Sequence, residues 1–191
     1  MTKSYEFVTL DVFTDRRFGG NPLAVVADAR GLDTPTMQAL AGEFNLSETT
    51  FVLPPDDPNH TAKVRIFTPS AEIGFAGHPN IGTAWMLAAQ GRDTHGRLSF
   101  EGGSGLVEID VERDRGELRM CRLMTPQVLR LSAAPNPAEL APCAGLDASD
   151  IRQTDVASVG LDCVCAEVSV EVLARAAPNA SAFRAVADRW L

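Results

Sequence analysis

Between Tyr5 and Met120 the hydrophobic period of the chain changes repeatedly, and each change marks an element. Tyr5–Val12 alternates apolar and polar positions and carries β-branched residues, a strand pattern. Phe13–Asn21 is a loop that ends in the turn signal Gly19-Gly20-Asn21-Pro22. Leu23–Ala27 is apolar at every position, as in a strand buried on both faces. Thr34 as N-cap and Pro35 in the first turn open a helix. Its apolar residues Met37, Leu40, Ala41 and Phe44 fall on one face. Asn45-Leu46-Ser47 ends that helix. Glu48–Leu53 is a strand closed by Pro54-Pro55, and Pro54–Asn59 is a polar hairpin loop leading to the alternating strand Ala62–Phe67.

The stretch Ala71–Gly91 breaks both periods. A glycine-containing loop, Ile73–Gly77, leads to His78, Pro79 and then a helix with Ile81, Ala84, Trp85, Met86, Leu87, Ala88 and Ala89. Pro79 suits a first turn, where its missing N–H has no helical partner, and Gly91 suits the position just past the end. Apolar residues surround the axis, which predicts a helix buried on every face. At about 13 residues against the roughly 20 needed, it is too short to cross a membrane. A cup of strands is the expected container. The helix N-terminus, with free N–H groups and partial positive charge, would then aim at one spot beside His78. Three strands follow, Arg97–Glu101, Gly105–Val111 and Glu117–Met120, joined by short turns as in a β-meander.

From Met124 the pattern restarts. Gln127–Leu131, Asp155–Val159 and Cys163–Val168 are strand-like, and a short helix opens at Asn136 and ends near Gly145. Ser169 or Val170 starts about two helical turns through Val172, Leu173 and Ala176, which Pro178-Asn179 breaks. Ser181 caps a last amphipathic segment with Phe183, Val186, Ala187 and Trp190. The organisation expected is a first lobe over residues 1–123 and a second over 124–191. The second lacks an all-round apolar helix to fill its sheet, so it is expected to be truncated before its central helix and to leave an apolar face open for association.

Composition narrows the class. The 191 residues carry a net charge of −8, which speaks against a nucleic-acid surface, and no basic run offsets it. Neither a basic start with an apolar stretch nor a long apolar run is present, so a cytoplasmic, non-membrane protein is expected. Cys121, Cys143, Cys163 and Cys165 have neither zinc-site nor disulfide-framework spacing. Cys163 and Cys165 share one strand face and are expected as buried free thiols. No metal or cofactor is expected. On residue type alone, Glu48 at a strand start is most often solvated, and a histidine at a helix start is most often a cap.

Three motifs change those weights. Phe18-Gly-Gly-Asn-Pro-Leu-Ala-Val-Val26, Asn45-Leu-Ser-Glu-Thr-Thr-Phe-Val52 and Arg65-Ile-Phe-Thr-Pro-Ser-Ala-Glu-Ile-Gly-Phe-Ala-Gly-His-Pro-Asn-Ile-Gly-Thr-Ala84 occur in this order. Together they resemble the PhzF family, the phenazine-biosynthesis isomerases and their relatives, clearly from about Tyr5 to Leu131 and loosely beyond. The resemblance implies an α+β, diaminopimelate-epimerase-like fold, in which a curled, mostly antiparallel sheet wraps a central apolar helix in each of two lobes. It implies Glu48 and His78 as catalytic residues. Gly77, Asn21 and Pro79 are expected to bind a small carboxylated substrate.

The implied chemistry is a cofactor-independent proton shift, as in the isomerisation of trans-2,3-dihydro-3-hydroxyanthranilate. A carboxyl group can take and return a proton when its cleft is dry, and Leu46, Phe51 and Phe75 are the apolar neighbours expected for Glu48. The resemblance also implies a homodimer. The family's second-lobe aspartate and Thr-Gly-Ser-Ala turn have no counterpart in this sequence. That departure keeps a truncated, non-catalytic binding relative as an alternative. A racemase or epimerase of the same fold is the other; its two-cysteine version has no matching cysteine motif here.

Overall fold

The computed structural model describes residues 3–190, and the side chains of residues 3–187. The chain divides into two compact units, Met1–Gln127 and Val128–Leu191.

The first unit is one sheet curled round one helix. Its strands are β1 (Phe7–Val12), β2 (Asn21–Val26), β3 (Glu48–Leu53), β4 (Ala62–Phe67), β5 (Glu72–Ile73), β6 (Arg97–Gly102), β7 (Gly105–Asp114) and β8 (Glu117–Leu123). The main path runs β1-β2-β3-β4-β6-β7-β8, with β5 added to β4. The pairs β2–β3 and β4–β6 are parallel, the others antiparallel. Each parallel join needs a crossover, and α1 (Thr34–Phe44) and α2 (Gly77–Ala89) supply them.

Strand alternation sorts the side chains between the two helices. Leu10, Val12 and Leu23 point toward α2, where a Cβ on Gly82 would lie 2.5 Å from Leu23 Cδ2 and 2.8 Å from Val12 Cγ2. Glycine at this position lets α2 sit that close to the strands. Val26, Phe51 and Phe67 point the other way, packing with Met37 and Ala41 of α1. Covered on both faces, Leu23, Ala24 and Val25 are fully buried, as their unbroken apolar run predicted.

The helix ends differ slightly from the sequence reading. Asp33, not Thr34, caps α1, its carboxylate accepting from Thr36 N at 2.9 Å. Asn45 closes the helix in the left-handed region at φ 50°. At the far end of α2, Arg113 on β7 donates to the Ala88 carbonyl at 2.6 Å, a cation placed at the helix C-terminus.

α2 is not buried on every face. Ile81 is half-buried, Trp85 is 38% exposed and Ala89 is exposed, one stripe at four-residue spacing. The sheet does not close: β1 and β8 are its terminal strands. A cavity of about 490 Å³ lies between them, lined by Leu10, Val12, Ile81, Trp85 and Met120 among others. Sequence periodicity could not show this, because an apolar residue facing a gap looks like one facing a strand.

The second unit holds a three-stranded antiparallel sheet of β9 (Arg130–Ser132), β10 (Gln153–Ser158) and β11 (Asp162–Glu167), in the order β11-β10-β9. With it go α3 (Pro137–Leu140), two 3-10 turns at Ala141–Ala144 and Ala148–Asp150, α4 (Val170–Leu173) and α5 (Ala180–Trp190). Asn136 caps α3 and Ser169 caps α4, each through its side-chain oxygen. The expected burial of Cys163 and Cys165 is overturned: all of β11 is exposed, both thiols included. Among the described residues, only β10 flanks β11 and no helix covers its faces. The Trp190 side chain, assigned to the last amphipathic face, lies outside the described side chains.

Candidate active site

Glu48 is the first residue of β3, and its placement follows from the turn before it. Asn45 reverses the chain, and Ser47 Oγ donates to Asn21 Oδ1 at 3.1 Å. This bond ties the start of β3 to the start of β2, where Leu23 and Glu48 stand in register. Glu48 and Thr50 face α2, whereas Thr49 and Phe51 face the α1 side, so Phe51 does not line the carboxylate. Phe75 is buried and Leu46 half-buried.

His78 lies in the first turn of α2. Its Nδ1 stands 3.3 Å from Glu48 Oε2, and the side chains are 8% and 18% exposed respectively. The two groups are within ion-pair reach but not aligned as a hydrogen bond. Glu48 Oε2 and His78 Nε2 are both buried without a hydrogen-bond partner. Buried polar atoms left unpaired cost about 1–3 kcal/mol each, and in folded proteins they concentrate where a ligand or proton transfer uses them. Burial pushes the His78 pKa below the usual 6.5, opposed by the Glu48 carboxylate and by the Pro22 backbone. The imidazole is therefore held neutral near neutral pH.

The helix end beside this pair is open. Ala76, the N-cap residue, provides no side-chain acceptor, so the N–H groups of the first turn have no side-chain cap. Asn80 turns back and donates Nδ2 to the Ala76 carbonyl at 2.9 Å, leaving those N–H groups unengaged by it. A Cβ on Gly77 would meet nothing within 4 Å, so the backbone here borders free space. The structure thus brings Glu48, His78 and Gly77 together. Pro79 is buried and shapes the first turn, while Asn21 is exposed and engaged with Ser47.

Two features went unread in the sequence. One is the Asn21–Ser47 bond joining two of the motifs. The other is a buried hydroxyl pair, Thr50 Oγ1 to Thr83 Oγ1 at 2.8 Å, one strand repeat below Glu48. The available signal was a threonine at position 50, between Glu48 and Val52 on one strand face, and another at position 83 in a largely apolar helix. Cys121, in β8, is buried with its thiol pushed up to about 11 by burial, which leaves it a poor base. Among the described residues, no cluster of three or more His, Cys, Asp or Glu could hold a metal ion. No described helix is long and apolar enough to cross a membrane.

A sheet curled round a helix, with a carboxylate and an imidazole at that helix's mouth, is the lobe of an α+β epimerase-like fold. The chain matches the phenazine biosynthesis-like proteins over residues 10–189, and it belongs to this PhzC-PhzF family. It is 49% identical over 134 residues to an uncharacterised isomerase of Mesorhizobium japonicum, covering 68% of this chain and 44% of that protein. It is 39% identical over 145 residues to trans-2,3-dihydro-3-hydroxyanthranilate isomerase of Pseudomonas aeruginosa, covering 76% and 51%. The solved structure of a predicted epimerase from Pseudomonas aeruginosa superposes with a TM-score of 0.82 at 31% identity, over 97% of this chain and 67% of that one. The chain spans about half the length of the curated relatives it matches.

Proposed function

We propose that this chain carries the acid–base half of a PhzF-type isomerase, acting on a small carboxylated substrate by a proton shift between two carbons. The observation that supports this most is the Glu48–His78 pair, both members largely buried, at the uncapped start of α2. In the proposed reaction the ionised Glu48 takes a proton from one substrate carbon and becomes a neutral carboxylic acid. The electron pair left behind delocalises through the substrate's unsaturated system. Glu48 then returns the proton to a second carbon, so no atom is gained or lost. Neutral His78 and the first-turn N–H groups face the developing negative charge.

Asn21 and Pro79 play different parts in this reading: Asn21 accepts from Ser47 through Oδ1 and has its Nδ2 as the donor for substrate, and Pro79 acts through the backbone of the first turn. The pair supplies the proton transfer from its own side chains, and a two-cysteine route is disfavoured by the buried, protonated Cys121. Turnover further needs a second wall bearing an acid and hydroxyl turn, which the curated relatives are long enough to contain. A homodimer is part of the same proposal.

The test is solvent exchange. The chain, and the same coding region extended to the relatives' length, are incubated in D₂O with trans-2,3-dihydro-3-hydroxyanthranilate. Deuterium in the isomerised product, with a loss of about 10²-fold or more in Glu48→Gln, supports the proposal. Inversion at one carbon without bond migration would point to an epimerase instead. Binding without exchange in the extended protein would overturn the isomerase reading.

A further inference from the structure

We infer that Thr50 and Thr83 form a positioning pair that sets the axial register of α2 against β3, and through it the approach of His78 to Glu48. The inference rests on the proposed role of that pair. Both threonines are fully buried, and their hydroxyls are 2.8 Å apart. Between β3 and α2 there are therefore two polar rungs, Glu48–His78 at 3.3 Å and Thr50–Thr83 at 2.8 Å. On the strand the rungs are two residues apart, about 6.7 Å. On the helix they are five residues apart, about 7.5 Å. The two rises nearly match and the order is the same along both elements; five residues also turn the helix by about 140°, so the two rungs leave α2 in different directions and constrain its rotation as well as its rise.

The neighbours of these rungs explain why a directional contact is needed. Leu23, Val25, Ile66 and Phe100 on the strands, and Leu87 on α2 itself, are buried apolar residues, and contacts of this kind are non-directional. They hold the helix in the curl but tolerate small slides and rotations about its axis. A hydrogen bond between two hydroxyls weakens steeply once it leaves the range of 2.5–3.0 Å. In a dry interior, a slide that opens it leaves both hydroxyls unpaired. His78, on the adjacent turn, moves with any such slide. Thr49, whose hydroxyl is buried on the opposite sheet face without a partner, shows that burial of a β3 threonine does not by itself produce such a rung.

The test separates positioning from packing and needs no turnover, so it is independent of the substrate question. Its readout is the pH titration of the His78 ring by NMR, with Glu48 as the charged group that faces it. The double variant Thr50→Val with Thr83→Val replaces both hydroxyls by methyl groups of the same shape. It leaves no unpaired polar atom, so it is expected to fold with near-native stability. Its His78 titration is expected to move upward by about half a pH unit or more as the ring gains freedom to reach water. Thr83→Ser keeps the hydroxyl and loses a methyl group. It is expected to lower Tm while leaving the His78 titration within about 0.2 unit of wild type. An unchanged titration in the double valine variant overturns the inference, as does an equal shift in Thr83→Ser. If exchange into substrate fails while the valine variant shifts His78, the positioning stands and the proposed reaction falls.

Discussion

The two units of this chain are built from similar parts and differ in what those parts enclose. In residues 1–127 the strands curl round α2, and Leu23, Phe51, Phe67, Leu87, Leu98 and Phe100 are all within 2% of full burial. In residues 128–191 a hairpin and a third strand pair correctly, the helices are capped, and yet the apolar side chains stay outside. Val128, Leu131, Val170 and Leu173 are 61% exposed or more, while Ala141 and Ile151 are buried. Backbone pairing is satisfied in both units, and side-chain caps close α1, α3 and α4, whereas the start of α2 has none. Burial of apolar area needs a second layer, and α2 supplies it in the first. The second unit has no described element in that role, which is why β11 is exposed along its whole length.

The sharpest way to break this comparison is to hollow the first unit. Phe100→Ala should destabilise it by about 3–5 kcal/mol, read as a fall in Tm and in the denaturant midpoint. A loss below about 1 kcal/mol would mean the curl is not the main core. Gly82→Ala probes the same core by adding volume, since its Cβ would press on Leu23 and Val12. We expect a cost of about 1–3 kcal/mol, measured in the same way. Wild-type stability would show that the helix has room to retreat.

A weaker effect comes from pH. His78 is depressed in the folded state, so below its unfolded value of 6.5 the unfolded chain binds a proton that the folded chain resists. Its contribution is full above about pH 6.5 and is lost as pH falls toward the folded value, with a slope below about 1.4 kcal/mol per pH unit. Denaturant titrations between pH 7.5 and 5 should show that slope, and His78→Gln should flatten it. An identical slope in the variant would assign the effect elsewhere. The smallest effect belongs to the second unit. Val164→Ala, on the exposed β11, should change stability by no more than about 0.5 kcal/mol. A loss near that of Phe100→Ala would show that β11 is covered in solution.

One carboxylate also secures the first unit, through three contacts. Glu101 accepts from the N–H groups of Asp56 and Asp57 at 2.7 and 2.8 Å and meets His60 Nδ1 at 2.9 Å. These contacts hold its carboxyl at about 2, so the clasp on the hairpin loop loosens only in strong acid.

Much of this architecture is legible in the sequence. The strands around Val8, Val25, Phe51, Val64 and Val107 follow from alternation or from unbroken apolar runs. Pro35, Asn45 and Gly91 mark helix boundaries through φ restriction or left-handed tolerance. The motif around Glu48 and the one around His78 pointed to a shared chemistry through resemblance, not through spacing, because 30 residues and two strands separate them. The errors also have a physical pattern. Trp85 was expected inside, and Cys163 with Cys165 likewise, since residue type reports what a side chain tolerates and not whether a neighbour arrives to cover it.

The sequence alone determined the local choices: which segments extend, which coil, where the chain turns, and which family it resembles. These depend on contacts within a few residues, which periodicity and backbone preference encode directly. Only the tertiary structure decided that Glu48 and His78 stand 3.3 Å apart, that Thr50 meets Thr83, and that the curl leaves a gap between β1 and β8. Those outcomes depend on the pitch and twist with which a strand and a helix distant in sequence pack together, and no short window of residues contains that information.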